Sequence, residues 1–355
     1  LHDVAALHLT PHLYGVLPPS AAGENTFSVR VSLDGQRALH VVVEACQAIT
    51  PGGVRISLPA FSSPVSTAAD CMPETILPFA GGNEVEWWIV LIVHPYKTQA
   101  AGAPDLSENP PRFPSVIPTY TIEVVPSGQY RQFKYYPYAL TIGKIFVNNN
   151  ETSLLDFYVP PCYSISAHPD LISLLESFDV FLSGLERHCT LIVQSVFQKK
   201  QETPIAQLVL FLCDRVMLYM AQALTEARWT LRHQSPAALF MTMASLARII
   251  KNTIDLRIGS GKEELMGYLS EWCDLNQGEF ESMLVSIANM TYEHNDVNKN
   301  ISESAVFVRV LARLFEALSK LDLIGKRKAG YEFVVKEDRN ENEAPKKGGR
   351  ASFLG

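Results

Sequence analysis

Paired cysteines and high charge are both scarce in this sequence. None of its six cysteines stands in a C-x-x-C spacing, and most lie in apolar runs such as Leu212-Cys213 and Trp272-Cys273. We therefore expect reduced, buried thiols in a reducing compartment, not a disulfide framework. Charged residues make up 19% of the 355 positions and the formal net charge is −7. This balance argues against the basic surface of a nucleic-acid-binding protein.

The start of the sequence lacks a secretion signal, since Leu1-His2-Asp3 offers neither a basic nor an apolar region. Since there is no initiator methionine, we expect the N-terminus to be trimmed or only partly represented. One segment, 205–224, is apolar enough to suggest a membrane span, but Asp214 and Arg215 lie at its middle. Charges at the bilayer centre are costly. We therefore predict a buried helix of a cytoplasmic protein without direct membrane insertion.

Motifs for catalysis, cofactors and metals are also missing. Gly259-Ser260-Gly261-Lys262 resembles a phosphate-binding loop, but Leu256 and Glu263 stand where the motif needs a glycine and a hydroxyl residue. There is no G-x-S-x-G and no H-E-x-x-H. Tyr292 to Asp296 brings acids near an imidazole, and we favour a polar interhelical turn over a metal site there. We therefore expect no enzyme activity, cofactor, metal or small-molecule substrate.

The front of the chain has the patterns of β-strands. Phe27, Val29, Val31 and Leu33 alternate with polar residues, as in a half-buried strand, and Asp34-Gly35 predicts the turn of a hairpin. Further strands are predicted at 39–43, 54–58, 85–93, 119–125, 139–147 and 154–159, with a Pro-rich loop at 98–118. The run at 85–93 is nearly all apolar, which is typical of a central strand covered on both faces. Many short strands with Gly and Pro turns favour an antiparallel sandwich or a pair of small sandwiches.

The rest of the chain predicts an antiparallel helical bundle. Pro169, Pro204 and Pro236 suit first helical turns, and Thr203 and Ser235 are natural N-caps. The predicted helices span 169–200, 204–233, 236–257, 262–290 with a break near residue 276, and 302–325. The second is apolar nearly all round, so it should lie at the centre of a bundle or an oligomer. The fold class is α+β, with a sandwich at 1–166, a bundle at 167–328 and a charged, flexible tail at 329–355.

Two further groups of residues suggest roles in assembly. Pro160, Pro161 and Pro169 predict a stiff joint between the halves, because each proline fixes its own φ and restricts the residue before it. The second group contains aromatic residues interleaved with Arg131 and Lys134. Its members are Tyr130, Phe133, Tyr135, Tyr136 and Tyr138. Such a cluster suits a platform for single-stranded nucleic acid, and an exposed β-edge or a protein contact explains it equally well; the acidic balance favours the protein contact.

Several segments, in order, resemble the TssK family, the baseplate subunits of bacterial type VI secretion systems. They are 9–16 (LTPHLYGV), 48–59 (AITPGGVRISLP), 155–162 (LDFYVPPC), 165–171 (ISAHPDL) and 292–297 (YEHNDV). The resemblance makes Pro160, Pro161, Cys162 and Pro169 a joint between the family's shoulder and neck. It makes Tyr292, Glu293, His294 and Asp296 the family motif before the neck's last helix. An N-terminal Pro–His segment and a C-terminal head, usual in the family, have no counterpart here, and the short form is closer to Bacteroidetes systems.

The resemblance implies a homotrimer that links TssF-like and TssG-like wedge proteins to a membrane-side anchor, at the cytoplasmic face of the inner membrane. Shoulders would bind the wedge, and necks would pack around a three-fold axis. In the tail, Tyr331–Val335 alternates as a strand added to a partner's sheet would. Phe333, Phe353 and Leu354 are thus candidate contacts, and a solvated tail without a role is the other interpretation. The alternative function is a phage-tail-like receptor-binding or host-recognition protein.

Overall fold

The computed structural model describes residues 12–20, 25–35, 38–58, 72–78, 86–102, 104–134, 136–148, 151–154 and 158–326. Sequence predictions at Tyr135, Phe333, Phe353 and Leu354, and for most of the tail, fall outside the described residues. Two antiparallel sheets come first in the chain and seven α-helices account for most of the rest of the described part. The fold is therefore mixed α+β, as predicted.

The first sheet is built around one long strand. Its strands are β1 (Gly15–Val16), β2 (Phe27–Leu33), β3 (Ala38–Ile49), β4 (Arg55–Leu58) and β5 (Glu74–Pro78), and all the others pair antiparallel with β3. β2 and β3 form the predicted hairpin, with Leu33 opposite Leu39. Alternate residues of β3, including Leu39, Val41 and Val43, are fully buried. This alternation gives the sheet one apolar face.

The second sheet covers that face. It contains β6 (Glu86–Ala101), β7 (Ser115–Pro126), β8 (Ala139–Asn148) and β9 (Glu151–Leu154), in the order β7-β6-β8-β9, and a short helix α1 (Ser127–Lys134) lies between β7 and β8. Ile89 and Leu91 of β6 pack with Leu39 and Ile56 of the first sheet. Trp88 and Val90 point the other way and pack against α1. The structure is thus a sandwich whose central strand is covered on both faces.

The helices after the sheets have the predicted capping. They are α2 (Pro169–Gln198), α3 (Pro204–Trp229), α4 (Pro236–Asp255), α5 (Lys262–Cys273), α6 (Gln277–Ala288) and α7 (Val297–Ser319). The side chains of Thr203 and Ser235 accept hydrogen bonds from Ala206 N and Ala237 N, with prolines at the first turns. The buried residues of α2 to α7 form one continuous core. Local sequence therefore fixed most of these helix starts.

Three boundaries differ from the sequence prediction. The last helix runs from Val297 to Ser319 instead of 302–325, because Ser302 is not its cap: its hydroxyl donates to Lys299 O within the helix. The loop predicted at 98–118 is shorter, since Thr98 to Ala101 pair with Ser115 to Pro118. Residues 155–157 of the strand predicted at 154–159 lie outside the described part of the chain, and the strand that contains Leu154 begins earlier, at Glu151 (Glu151–Leu154). Beyond it, Val159 N donates to Asn298 Oδ1 at 2.9 Å.

Helix α3 is long and rich in apolar residues. In the described part of the chain it is the one helix long and apolar enough to cross a membrane by length and composition, and 44% of its most apolar window is buried inside the protein. Val209, Cys213, Val216 and Met220 face the core. Leu218, however, is 69% exposed. The helix is thus buried on one side and leaves apolar side chains on another.

Candidate functional site

The sandwich and the helical bundle meet at the loop between α6 and α7. This loop holds the predicted motif residues Tyr292, Glu293, His294 and Asp296. Its side chains and backbone contact Tyr14 just before β1, helix α1, strand β8 and the segment before α2 through ion pairs and hydrogen bonds. We call this region the junction. It is a polar contact between the two halves, and it brings together residues more than 130 positions apart.

Two lysines of the sandwich pair with two acids of the loop. Lys134 Nζ, at the end of α1, lies 2.6 Å from Glu293 Oε2. Lys144 Nζ, on β8, lies 3.0 Å from Asp296 Oδ2 and 3.4 Å from Glu86 Oε1. The side chain of Lys144 is only 7% exposed. A buried ammonium must be paired to be tolerated, so Asp296 and Glu86 together make the burial of Lys144 possible.

The ammonium of Lys144 also lies over an aromatic ring. Its Nζ is 4.4 Å from the centre of the Trp88 ring. The other side of Trp88 belongs to the cluster with Tyr130, whose ring stacks on it at 4.4 Å. A cation held over an indole gains electrostatic attraction from the ring. The Phe146 ring lies 5.0 Å from the same atom, so Lys144 is held by two carboxylates and two rings.

His294 is buried at the centre of the junction. Its Nε2 lies 3.0 Å from the backbone oxygen of Tyr14, and its Nδ1 lies 2.7 Å from the hydroxyl of Tyr292. A carbonyl oxygen can only accept, so Nε2 carries the proton and Nδ1 accepts from Tyr292. Burial lowers the pKa of His294 to about 4. The imidazole is therefore neutral near pH 7 and serves as a structural hydrogen-bonding bridge.

Two asparagines hold the loop in shape. Asn295 accepts from the Tyr14 hydroxyl through Oδ1 at 3.0 Å and from the Tyr158 hydroxyl through its backbone oxygen at 2.8 Å. Asn300 is fully buried; its Oδ1 accepts from Glu293 N and its Nδ2 donates to Thr291 O, both at 3.0 Å. No local pattern in the sequence points to Lys144, whose partner Asp296 is 152 residues away, or to Asn300, whose contacts depend on the fold of the loop.

The predicted joint lies beside the junction and is bonded to the sandwich. Pro161 O accepts from Val16 N at 2.8 Å, and Tyr163 N donates back to Val16 O at 2.9 Å. Cys162, between them, is fully buried. Pro169 occupies the first turn of α2, as expected. The joint therefore extends β1 by a short stretch of backbone pairing before the chain enters the bundle; its stiffness stays a prediction.

Glycine 15 is required at this place. Its φ is +108°, and a Cβ added there would lie 2.1 Å from Pro161 O. Both the left-handed backbone and the close approach exclude a side chain. The Tyr14-Gly15-Val16 segment thus fits the double proline and the His294 loop at once.

The aromatic cluster is only partly a surface. Tyr130 is buried, stacked on Trp88, and its hydroxyl lies 2.5 Å from Thr141 Oγ1. Phe133 packs on the same cluster, while Tyr136 is exposed. The prediction of a partner contact is therefore wrong for Tyr130, because the segment folds as helix α1 and turns that ring into the sandwich. For Tyr136 the contact remains a prediction.

The segment Gly259-Ser260-Gly261-Lys262, which resembles a phosphate-binding loop, has a structural role in the bundle. Gly261 has φ +113° and precedes α5, and Lys262 Nζ lies 2.8 Å from both Asp255 Oδ1 and Glu281 Oε1. These acids raise the pKa of Lys262. Its ammonium is thus engaged within the bundle. Among the described residues, no group of three or more His, Cys, Asp or Glu side chains could hold a metal ion.

No protein-family model and no curated protein matches the chain. Several solved structures are similar to it, and three of them contain TssK. TssK from the type VI secretion system of EAEC, in complex with a nanobody, is 16% identical, with 89% of this chain and 95% of that chain covered and a TM-score of 0.43. A crystal structure of TssK is 12% identical, with 89% and 63% covered and a TM-score of 0.47. The third, a TssK-TssF-TssG baseplate subcomplex, is 15% identical, with 89% of each chain covered and a TM-score of 0.42.

Proposed function

We propose that this chain is a structural subunit of a type VI secretion baseplate and acts as a rigid adaptor, not as an enzyme. One observation carries the proposal. The segments that resemble the TssK family, around Tyr14, around Pro160-Pro161 and at Tyr292–Asp296, meet at the junction although they are far apart in sequence. Catalytic residues would converge on a cleft. The three family-like segments converge instead on a contact between the sandwich and the bundle.

The junction suits an adaptor because it fixes two bodies relative to each other. Buried ion pairs and hydrogen-bonded side chains such as Lys144 and His294 have strict geometry, and each leaves an unpaired buried group when it breaks. A force applied to the sandwich would thus be passed to the bundle without a hinge between them. Such transmission is what a subunit between a contracting sheath and a membrane anchor requires.

The partners to test follow from the same proposal. TssF and TssG are named with TssK in one of the similar structures, so their counterparts are the wedge proteins for this chain. We propose that the sandwich binds them and that the tail contacts the membrane-side anchor, at the cytoplasmic face of the inner membrane. The exposed hairpin of β6 and β7, with Tyr96 and Phe113, offers the sandwich an apolar surface for the wedge.

Co-expression of the chain with TssF-like and TssG-like proteins encoded near it tests this proposal. We expect all three to purify together, and a variant with Tyr96→Asp and Phe113→Asp to lose the wedge proteins while keeping its fold. A matched variant, Leu256→Asp with Ile258→Asp, changes two exposed apolar residues of the bundle and should retain them. Retention by the first variant and loss by the second would place the wedge on the bundle instead.

We further propose that the chain is a homotrimer whose bundle forms the three-fold contact. Val180 and Leu191 of α2 and Leu218 and Trp229 of α3 are exposed in the single chain, a pattern typical of an interface. Light scattering after size exclusion should give three times the 39.4 kDa chain mass. Leu218→Asp should lower that mass, whereas a single-chain mass for the unaltered protein contradicts the trimer.

A further inference from the structure

The helical bundle ends in a surface that lies far from the junction. Helix α2 begins at Pro169, in the joint, and at about 1.5 Å per residue its 30 residues carry the chain about 44 Å away. At that end lie the turn between α2 and α3 (199–203), the turn between α4 and α5 (256–261) and the segment after α7 (320–326). We call these three segments, with the adjoining Phe197, the distal surface.

Direct contacts hold the three segments together. Ile324 N, after α7, donates to Gln201 Oε1 of the first turn at 2.8 Å. The second turn packs on the start of α3, since a Cβ added at Gly261 would lie 2.8 Å from Leu208 Cδ1. The distal surface is therefore one continuous part of the molecule.

Large apolar side chains project from this surface. The ones that are at least half exposed are Phe197, Leu256, Ile258 and Leu323. Phe197 and Arg257 also line a mostly apolar groove of about 740 Å³ between α2 and α3. Exposed apolar groups that lie so close together are typical of a contact surface.

The same three segments are basic, although the chain as a whole has a net charge of −7. They contain two acidic residues, Glu202 and Asp322, and the five basic residues Lys199, Lys200, Arg257, Lys320 and Lys326. Lys199 pairs with Asp322, and Lys320 pairs with an acid of α7. Lys200, Arg257 and Lys326 form no ion pair with any residue that the structure describes. These three cations are thus available to an external anion.

Exposed apolar side chains beside unpaired cations match the surface of a bilayer that contains anionic lipid. Lipid phosphates attract lysine and arginine, while apolar side chains enter the boundary between headgroups and acyl chains. Two copies of the chain that met through this surface would instead bring like charges together.

We propose that the distal surface binds an anionic membrane, with Lys200, Arg257 and Lys326 at lipid phosphates and with Leu256 and Ile258 among the headgroups. The contact is peripheral, because every helix stays within the bundle. It goes beyond the baseplate role and does not depend on it.

Co-sedimentation of the full chain with lipid vesicles tests the proposal. We expect at least about tenfold tighter binding to vesicles of equal phosphatidylglycerol and phosphatidylcholine than to phosphatidylcholine alone, because each unpaired cation is attracted to anionic lipid. Added salt should weaken the binding, since salt screens these charges. Equal binding to both kinds of vesicle, or binding to neither, overturns the proposal.

Charge reversals locate the contact. Lys200→Glu with Lys326→Glu should weaken binding to the anionic vesicles at least about tenfold. The matched control is Arg309→Glu with Arg313→Glu, which makes the same change of net charge at exposed positions of α7 and should weaken binding much less. Equal losses in the two variants would mean that net charge alone sets the binding, and would contradict the proposal.

A second pair of variants tests the apolar side chains. Leu256→Asp with Ile258→Asp should abolish vesicle binding, whereas Met241→Asp with Val306→Asp, at exposed positions on the sides of the bundle, should retain it. Circular dichroism should show that both variants are folded. If the first variant instead changes the oligomeric mass and leaves vesicle binding intact, the distal surface is a protein contact and the proposal is wrong.

Discussion

The ion pair between Lys144 and Asp296 gives the sharpest test of the junction. Lys144 is the more buried partner, and its ammonium is held by Asp296 at 3.0 Å, by Glu86 at 3.4 Å and by the Trp88 ring. Asp296→Ala removes the nearer carboxylate and leaves the ammonium in place. The variant therefore measures how much the free energy of unfolding decreases when a buried ammonium loses its nearer carboxylate.

The magnitude follows from burial. Removing one partner of a fully buried pair costs about 3–5 kcal/mol. Asp296 is 24% exposed and Glu86 remains, so we expect a smaller loss, about 2 kcal/mol in the free energy of unfolding. In a double variant with Lys144→Met, the unpaired charge disappears, so the loss should be below the sum of the two single losses by about 1 kcal/mol.

Urea denaturation followed by circular dichroism measures both values. The matched control is Glu316→Ala, which breaks a 2.6 Å pair with Lys320 on the surface of α7. Both partners of that pair are at least half exposed, so its loss should leave the free energy of unfolding nearly unchanged. A loss for Asp296→Ala no larger than for Glu316→Ala would refute the view that the junction rests on a buried ion pair.

Three other predictions concern the junction and the core. Burial lowers the pKa of His294 from 6.5 to about 4, so between these pH values only the unfolded chain binds that proton. The free energy of unfolding should therefore decrease as the pH is lowered from 6.5 to about 4, and it should decrease less in His294→Gln. Urea titrations at several pH values measure this difference. Gly15→Ala should lower the melting temperature by several degrees or prevent folding, since its Cβ meets Pro161 O, while Gly184→Ala, with open space around it on α2, should raise stability by up to about 1 kcal/mol; equal effects of the two would contradict the close approach. Burial raises the pKa of Cys46 to about 12 and raises that of Cys162, so neither should react with iodoacetamide in the native protein at pH 8, and peptide mass spectrometry should find both labelled only after unfolding.

Local sequence was sufficient for the helices that begin with a cap and a proline. Thr203-Pro204 and Ser235-Pro236 start α3 and α4 as predicted, because the cap bond closes within three residues and the proline fixes the first turn. The hairpin at Asp34-Gly35 was equally local. The division of the chain at residues 166 and 328 remains a prediction, although strands come before helices in the order expected.

Two predictions failed because a side-chain contact outside the local pattern decided the outcome. Ser302 and Glu303 look like a helix start, but the loop before α7 is held by Asn300, and the helix begins earlier, at Val297. The aromatic segment looked like an exposed edge, yet Trp88, 42 residues before Tyr130, provides a ring on which Tyr130 stacks. The first contact is made by a neighbour in the same loop and the second by a residue on another strand, and neither follows from the local pattern.

The sequence by itself determined the helices and strands, the α+β order, the absence of catalytic motifs and the location of the Tyr292–Asp296 motif, because all of these depend on neighbours within a few residues. The tertiary structure alone decided what that motif does. Lys144 and Asp296 are 152 residues apart, and Tyr14 and Asn295 are 281 apart. Only the packing of the sandwich on the bundle brings their atoms within 3 Å. Charge, burial and hydrogen-bond geometry act through space, so they produce no periodic pattern in the sequence.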